Sequence, residues 1–311
     1  MVLDAQPLES GVLIKKVLIL SDGRAGHVSQ SVALAKYAGA TYDIVQVAFK
    51  SKAAKLLSMI LDACHVYTQY IYDEYKIPES DYDAVVSAGS STYYLNKTIS
   101  KKLHAKSIAM MLPKGYRYDF DVIFAQHHDA PPFKDNIVQI PANFAYVEPG
   151  GIYRAKRPSI GIVIGGDNKY FTFSKEKLKL QLSWIKQHFK GYEIAVTTSP
   201  RTSKEIDALI KSSGFDYTVI YSENPVNPIP DFISRCETVC ITSDSTSMVS
   251  EALCAGKANV MILPLESKKE NKFTRFIKSL QKQGYVHIFD GTFKPCSKKI
   301  DFCRYAKEAK L

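Results

Sequence analysis

Val17-Leu18-Ile19-Leu20-Ser21-Asp22-Gly23-Arg24-Ala25-Gly26-His27 decides the fold class. Its four apolar residues read as a short strand buried on both faces of a parallel sheet. The Gly-bearing loop that follows opens residues 28–37 (VSQSVALAKY), whose apolar positions recur at helical spacing. The second half of the chain begins alike. Residues 159–164 run into Gly165-Gly166, and a helix is predicted over about 174–189. Two strand–loop–helix starts predict an α/β protein with two Rossmann-like domains facing a cleft.

The remaining segments keep the rhythm. Residues 42–49 read as a strand and 50–75 as an amphipathic segment with a basic start. Residues 83–87 read as a buried strand that ends in Ala-Gly-Ser-Ser-Thr before a helix, and 106–111 and 121–125 as further strands. At 148–158 (EPGGIYRAKRP) the pattern breaks into Pro, two Gly and a basic cluster, which places the domain boundary between 152 and 153. Beyond it, strands are predicted at 193–197, 217–221, 238–242 and 259–263. Helices are predicted at 201–212, 231–236 and 245–255.

A chain of 311 residues, 46% hydrophobic and 23% charged, has the composition of a globular protein of two ordinary domains. No apolar run reaches the roughly 18–20 residues needed to span a bilayer. Residues 1–10 (MVLDAQPLES) carry no basic start followed by an apolar run, so no secretory signal is expected. Six scattered cysteines lack CxxC spacing and are expected as reduced, mostly buried thiols of a cytoplasmic protein. Cys236 and Cys240 have the spacing to share a helix face. The net charge of +10 points to an anionic partner: nucleic acid, a membrane surface or anionic small substrates. Basic residues are spread without the aromatic interleaving or basic helix of a nucleic-acid module, so a membrane-surface protein acting on phosphorylated ligands fits better.

Three loops carry the candidate chemistry. In the first, Gly23, Arg24 and Gly26 stand where a helix start points N–H groups at an anion. His27 can take a proton near neutral pH, and Asp22 is the other candidate base, or the group that orients a ligand hydroxyl or caps the helix. In the second, Gly165 and Gly166 are expected to form a nest of N–H groups for a diphosphate, with Lys169 adding charge. The third, Thr242-Ser243-Asp244-Ser245-Thr246-Ser247, crowds hydroxyls around a helix start, and Glu251 lies further along the same helix. Ser245, Thr246 and Ser247 can bond phosphate oxygens, and Glu251 can accept both hydroxyls of a ribose.

Smaller signals follow. Thr197-Thr198-Ser199-Pro200-Arg201-Thr202 puts hydroxyls and an Arg at another carboxyl edge. Gln126-His127-His128-Asp129 invites a metal, but adjacent His side chains diverge and no third ligand has recognisable spacing, so no metal site is expected. Asp81-Tyr82-Asp83 and Asp119-Phe120-Asp121 have a spacing that holds a divalent ion in some glycosyltransferases. Both precede strands, which is the wrong end of the sheet. Residues 50–61 pair lysines with an apolar continuation and fit either an anionic membrane surface or a helix packed on its own sheet.

Taken in order, Ser-Asp-Gly-Arg-Ala-Gly-His, Ile-Gly-Gly-Asp, Thr-Thr-Ser-Pro-Arg-Thr, Thr-Ser-Asp-Ser-Thr-Ser-Met-Val-Ser-Glu-Ala and Leu-Pro-Leu-Glu resemble the elongated-mitochondria (mitochondrial fission) family. Lys272-Phe273-Thr274-Arg275-Phe276 and Phe289-Asp290-Gly291 extend the likeness, which runs from about Val17 to Gly291. The family's bacterial members are described as candidate glycosyltransferases, and its plant members recruit the fission machinery to mitochondria. The layout is also similar to GT-B glycosyltransferases, in which a Gly-rich loop ending in His opens the acceptor domain and a Glu on a C-domain helix binds the donor's ribose. His27 and Glu251 match those positions, while Ser21-Asp22 replace two glycines.

The resemblance implies residues 1–152 as the acceptor side and 153–311 as the nucleotide-sugar side, with the closing segment crossing back. It implies a metal-independent, inverting transferase with no cofactor beyond its nucleotide-sugar substrate, and Lys272 and Arg201 as supporting cations. Gly165, Gly166, Ser199, Ser243, Ser245, Thr246, Ser247 and Glu251 complete the expected donor site. The acceptor would be a lipopolysaccharide core or other glycolipid, at the inner face of the cytoplasmic membrane. A non-enzymatic adaptor and a nucleotide-sugar epimerase of the same fold are the alternatives.

Overall fold

The structure, a computed structural model, describes residues 15–267 and 269–311. The stretch read for a secretory signal, residues 1–10, lies outside the described residues. The first sheet collects β1 (Lys16–Ser21), β2 (Thr41–Gln46), β3 (Ala84–Ser87), β4 (Lys106–Ala109), β5 (Val122–Gln126) and β6 (Ile137–Ile140), in the order β2-β1-β3-β4-β5-β6. The connections carry α1 (Ala25–Tyr37), α2 (Lys52–Ala63) and α3 (Tyr93–Leu103). The pairings of β1 with β2 and β3, of β3 with β4 and of β4 with β5 are parallel. Val17, Leu18, Ile19 and Leu20 are wholly buried, as an apolar run without alternation requires.

The second sheet is β7 (Ser159–Val163), β8 (Glu193–Thr197), β9 (Tyr217–Val219), β10 (Thr238–Thr242), β11 (Asn259–Leu263) and β12 (His287–Ile288), in the order β12-β11-β10-β7-β8-β9 and parallel throughout. Helices α4 (Lys175–His188), α5 (Lys204–Ser212), α6 (Ile229–Arg235), α7 (Thr246–Cys254) and α8 (Lys272–Lys282) connect these strands, and α9 (Phe302–Ala306) follows. On one face of the sheet, Ile160, Ile162, Val196 and Met261 meet Leu178, Leu182 and Ile185 of α4 in a continuous core. Gly161 of β7 lets α6 approach closely. A Cβ there would stand 2.8 Å from that of Phe232. The fold class is therefore the expected one, two α/β units each built on a parallel sheet.

The division between units differs in detail from the expected 152/153. One compact unit ends at Phe124 and takes in Cys303–Leu311, and the other is Ala125–Phe302. The sheets change later, between β6 and β7. Neither β6 nor β12 is legible in the sequence: one is partly exposed and the other has only two residues. Only Cys236 and Cys240 of the six free cysteines are buried, which corrects the expected pattern. These two do not share a helix, since Cys236 follows α6 and Cys240 lies within β10. Burial pushes the Cys236 thiol up to about 11 and that of Cys240 higher still.

Both Asp-x-Asp triplets sit at strand starts and serve the sheet. Asp83 accepts the Lys16 N–H at 2.8 Å. Asp121 accepts both the N–H and the hydroxyl of Ser107 at 2.7 Å. Asp119 pairs with Lys97 of α3, a nearly inaccessible side chain that also meets the buried Asp62 of α2 at 2.8 Å. Removing one partner of a buried pair strands the other charge. Lys97→Met is therefore expected to lower unfolding stability by about 3 kcal/mol in urea titrations, and the double variant Asp62→Asn/Lys97→Met to recover part of that loss.

Candidate functional site

The strand order reverses once in each sheet. In the first unit, β1 lies between β2 and β3, so the chain leaves β1 for one side and later crosses to the other. Loops at the carboxyl ends of strands flanking such a reversal splay apart, and ligands bind there. The loops concerned are Asp22-Gly23-Arg24, with His27 in the first turn of α1, and Ala88-Gly89-Ser90.

The structure joins the two candidate bases into one pair. His27 Nδ1 lies 2.9 and 3.1 Å from the two oxygens of Asp22. The Asp22 side chain is 6% exposed and that of His27 is 19% exposed. With Nδ1–H donating to the carboxylate, Nε2 keeps its lone pair. The pair stands over a bare α-carbon. A Cβ on Gly89 would lie 2.5 Å from His27 Nδ1 and 3.0 Å from Asp22 Oδ2, and the backbone there has φ of +96°. Asp22 is not the cap of α1; that position is Arg24, with no side-chain hydrogen bond.

The anion-binding reading of this loop narrows. The Gly23 N–H donates to Ser21 Oγ at 3.0 Å and the Arg24 N–H to Asp22 Oδ1 at 3.2 Å. The N–H groups of Ala25 and Gly26 have no acceptor among the described residues. The Arg24 side chain is mostly exposed, 3.8 Å from Asp22.

In the second unit the reversal falls between β7 and β10. The loops after these strands are Gly165-Gly166 and Ser243-Asp244-Ser245, and here the expected diphosphate nest is corrected. The Gly165 N–H donates to Thr242 Oγ1 at 2.8 Å and the Gly166 N–H to Asp244 Oδ2 at 3.2 Å. Thr242 Oγ1 in turn donates to Asp244 Oδ1 at 2.7 Å. Arg201 Nη2 closes the set at 2.7 Å from Asp244 Oδ2, while Nη1 holds the Gly166 carbonyl at 3.1 Å. Of the two N–H groups, that of Gly166 is taken by the protein's own buried Asp244 carboxylate and that of Gly165 by a hydroxyl. Both glycines are required by space: a Cβ would lie 2.2 Å from Asp244 at Gly165 and 2.0 Å from the Arg201 carbonyl at Gly166.

Two further expected donor residues are engaged internally. Ser199 Oγ accepts the Arg201 N–H at 3.3 Å and lies 3.1 Å from Thr202 Oγ1, whose hydroxyl reaches the Gly165 carbonyl at 2.6 Å. Ser243 is buried and its Oγ accepts the Leu265 N–H at 3.0 Å. Both hold loops in place.

The start of α7 is different. Ser245 caps it weakly, accepting the Met248 N–H at 3.4 Å. The N–H groups of Thr246 and Ser247 and the Ser247 hydroxyl have no partner among the described residues. Thr246 Oγ1 accepts from Asn143 Nδ2 at 3.5 Å. Glu251 is partly buried, with no hydrogen bond or ion pair among the described residues, and burial pushes its carboxyl up to about 7. At the other end of the helix, Lys299 Nζ donates to the carbonyls of Ala252 and Ala258 at 2.7 and 2.8 Å. A cation at the last carbonyls stabilises a helix, and burial lowers this ammonium to about 8.

Lys272 does not join this group through any bond shown. It is the first residue of α8, exposed, with Nζ 5.0 Å from the Phe273 ring centroid. Its motif serves the helix: Asn271 and Thr274 form a reciprocal capping box, and Phe276 is buried. Residues 127–129 form a short 3-10 helix, and the His128 ring packs on Phe276. Among the described residues, no group of three His, Cys, Asp or Glu side chains is placed to hold a metal ion.

Gly89, Asp244 and Lys299 escape a sequence reading. Gly89 had a signal, the same strand–Gly–hydroxyl–helix pattern as the other loops. Asp244 was hidden among hydroxyls, and Lys299 lies 47 residues from its partner Ala252.

The Mitochondrial fission ELM1 family model matches residues 25–308, and the chain belongs to that family, the one its ordered loops resemble. The uncharacterized protein RP120 of Rickettsia prowazekii (strain Madrid E) is 24% identical over 324 residues, covering 88% of this chain and 90% of its own. Among solved structures, the Spinosyn Forosaminyltransferase SpnP superposes with a TM-score of 0.50 at 11% identity, over 96% of this chain and 94% of its own. MurG of Acinetobacter baumannii gives 0.48 at 14% identity, over 95% and 92%. The likeness to SpnP shows the fold alone, the two parallel-sheet α/β units of GT-B glycosyltransferases.

Glu251 gives the site a pH signature. Its carboxyl holds a proton in the folded chain up to about pH 7, against an ordinary value of 4.5. The folded state therefore binds more protons than the unfolded one between these values, and stability falls as pH rises through that window. Over it, wild type is expected to lose on the order of 3 kcal/mol that Glu251→Gln does not lose, measured by urea unfolding at a series of pH values.

Proposed function

We propose that this member of the fission family transfers a sugar from a nucleotide-sugar donor, bound by the second unit, to an acceptor hydroxyl bound by the first. The observation that carries the reading is the Asp22–His27 pair on the bare carbon of Gly89. An imidazole oriented by a carboxylate, with Nε2 free, is the base that a hydroxyl nucleophile needs. In the proposed step, the acceptor O–H gives its proton to His27 Nε2 and its oxygen bonds to the anomeric carbon. The bond from that carbon to the phosphate oxygen breaks, and the nucleotide leaves with the electron pair. Attack from the side opposite the leaving group inverts the anomeric carbon.

The second unit would supply binding. The N–H groups of Thr246 and Ser247, unpartnered among the described residues, lie with the Ser245, Thr246 and Ser247 residues at the positive end of α7, where phosphate charge would be stabilised. Arg201, whose side chain is 43% exposed although paired with Asp244, and the exposed Lys272 would supply positive charge for the leaving group in place of a divalent ion. Glu251 would accept the ribose hydroxyls. Gly165 and Gly166 shape the edge without touching phosphate. The Ala25 and Gly26 N–H groups, with Arg24, fit an anionic acceptor such as a lipopolysaccharide core or other glycolipid, and the chain would act at the inner face of the cytoplasmic membrane.

The test begins with thermal-shift measurements against a panel of nucleotide sugars, followed by mass spectrometry of products with and without lipopolysaccharide-core acceptors. Stabilisation by a donor and acceptor-dependent product are expected. His27→Ala should keep donor affinity and lose between about a hundredfold and ten-thousandfold in kcat. Gly89→Val, whose side chain needs the space of the imidazole, should reproduce that loss. Donor affinity should weaken as pH falls below 7, where Glu251 takes up its proton. A rearranged sugar formed without acceptor would assign an epimerase instead. No stabilisation by any nucleotide sugar sinks the enzyme reading and leaves the adaptor.

A further inference from the structure

Helix α2 is built with its polarity inverted. Ser58 and Asp62, one turn apart, are wholly buried. On the opposite side, Leu56 is 64% exposed, Leu57 43% and Ile60 56%. At 3.6 residues per turn these three share a face with Ala53 and Ala63, and the buried positions lie across the axis. Past the helix end, Val66 and Tyr70 are also exposed.

The inner face shows why the polarity is reversed. Ser58 Oγ lies 2.9 Å from the Tyr116 hydroxyl and donates to the Lys55 carbonyl at 2.7 Å. Asp62 meets Lys97 Nζ at 2.8 Å and the Arg117 N–H at 2.8 Å. Lys55 Nζ reaches back to Ser90 Oγ at 2.8 Å. Polar pairs therefore anchor the inner face of the helix to its unit, and much of its apolar stripe is left exposed. Contiguous exposed apolar surface of this kind marks an interaction site.

We infer that α2 is a docking surface for a bilayer carrying anionic headgroups, with the Leu56, Leu57 and Ile60 side chains entering the headgroup boundary. Charge selects this occupant. Between Lys50 and Val66 the only acidic residue is Asp62, which is buried and ion-paired, whereas Lys50 and Lys52 are exposed beside the stripe. Lys114, also exposed, adjoins Gly115, whose added Cβ would stand 3.1 Å from Met59 of α2. Asp73 and Glu74, both exposed, line a pocket with Lys50 and Tyr70, so Lys52 and Lys114 rather than Lys50 carry the positive charge at the helix itself. A basic helix with a protruding leucine–isoleucine face lies in a membrane interface by combining apolar burial with attraction to acidic lipid. The inference extends the glycolipid-acceptor reading above and rests on its membrane setting, but it is measured without donor or acceptor, so either can fail while the other holds.

The experiment is vesicle flotation of the full chain with phosphatidylcholine vesicles, with and without phosphatidylglycerol. Wild type should float with the anionic vesicles and remain behind with the neutral ones. Leu56→Ser/Leu57→Ser/Ile60→Ser should abolish flotation while keeping the wild-type melting temperature within a few degrees, because the bonds of Ser58 and Asp62 hold the inner face of the helix. Lys50→Glu/Lys52→Glu should weaken binding by about thirtyfold or more. Failure of wild type to float, or flotation of the triple variant like wild type, overturns the inference. So does a concentration-dependent dimer in light scattering that the triple variant loses, since a second copy would then be the occupant.

Discussion

The buried carboxylate of Asp244 is the constraint on which the ligand edge of the second unit depends. An ionised carboxylate out of water needs its charge and lone pairs met nearly in full. Here Thr242, the Gly166 N–H and Arg201 meet them, each from a different segment of chain. The loops after β7, β8 and β10 are thereby tied at one point. Two glycines follow as a requirement, because neither Gly165 nor Gly166 has room for a Cβ beside these partners. What reads in the sequence as a glycine nest for a phosphate is a nest already filled.

That substitution shows where sequence reading reaches and where it stops. Apolar runs such as Val17 to Leu20 and Ile160 to Ile164 declare buried parallel strands because burial on both faces leaves no polar alternation to confuse. Strand order, and hence which loops flank a reversal, is not written in any one segment, and Gly89 becomes important only when β3 is placed beside β1. Asp22 and His27 are legible as candidates because they lie five apart on one loop. Their union in a single pair depends on the turn at Gly23, with φ of +79°, and on the empty space over Gly89. Ser199 and Ser243 illustrate the opposite failure: a hydroxyl beside a glycine-rich loop reads as a ligand group, yet each is spent on a neighbouring N–H.

Helix α2 makes the same point through polarity. An amphipathic pattern fixes which positions lie together but not which side faces the protein. The usual inference, apolar face inward, fails here because Asp62 and Ser58 find fixed partners in Lys97, Arg117 and Tyr116, all distant in sequence. Once those pairs form, the apolar stripe can only face outward. The ambiguity between a membrane-facing and a sheet-packed segment was a question about partners, which the local sequence does not hold.

A folded chain satisfies nearly all of its buried polar groups, so the informative positions are those where partners are missing at a sheet's ligand edge. Among the described residues, around the first reversal these are the N–H groups of Ala25 and Gly26 and the outer nitrogen of His27. Around the second they are the N–H groups of Thr246 and Ser247 and the carboxyl of Glu251, held proton-bound up to about pH 7 by its surroundings. The two sets differ in the acceptor that accompanies the donors. The first offers donors beside a base; the second offers donors at a helix start, with one acceptor further along the helix. On the proposed reading, the phosphate oxygens and ribose hydroxyls of a nucleotide sugar would complement the donors and the acceptor of the second set, and an acceptor hydroxyl would give its proton to the base of the first. Gly165, Gly166, Ser199 and Ser243 fall outside both sets because their bonds are already made: a ligand would have to displace Thr242 from Gly165, Asp244 from Gly166, the Arg201 N–H from Ser199 and the Leu265 N–H from Ser243.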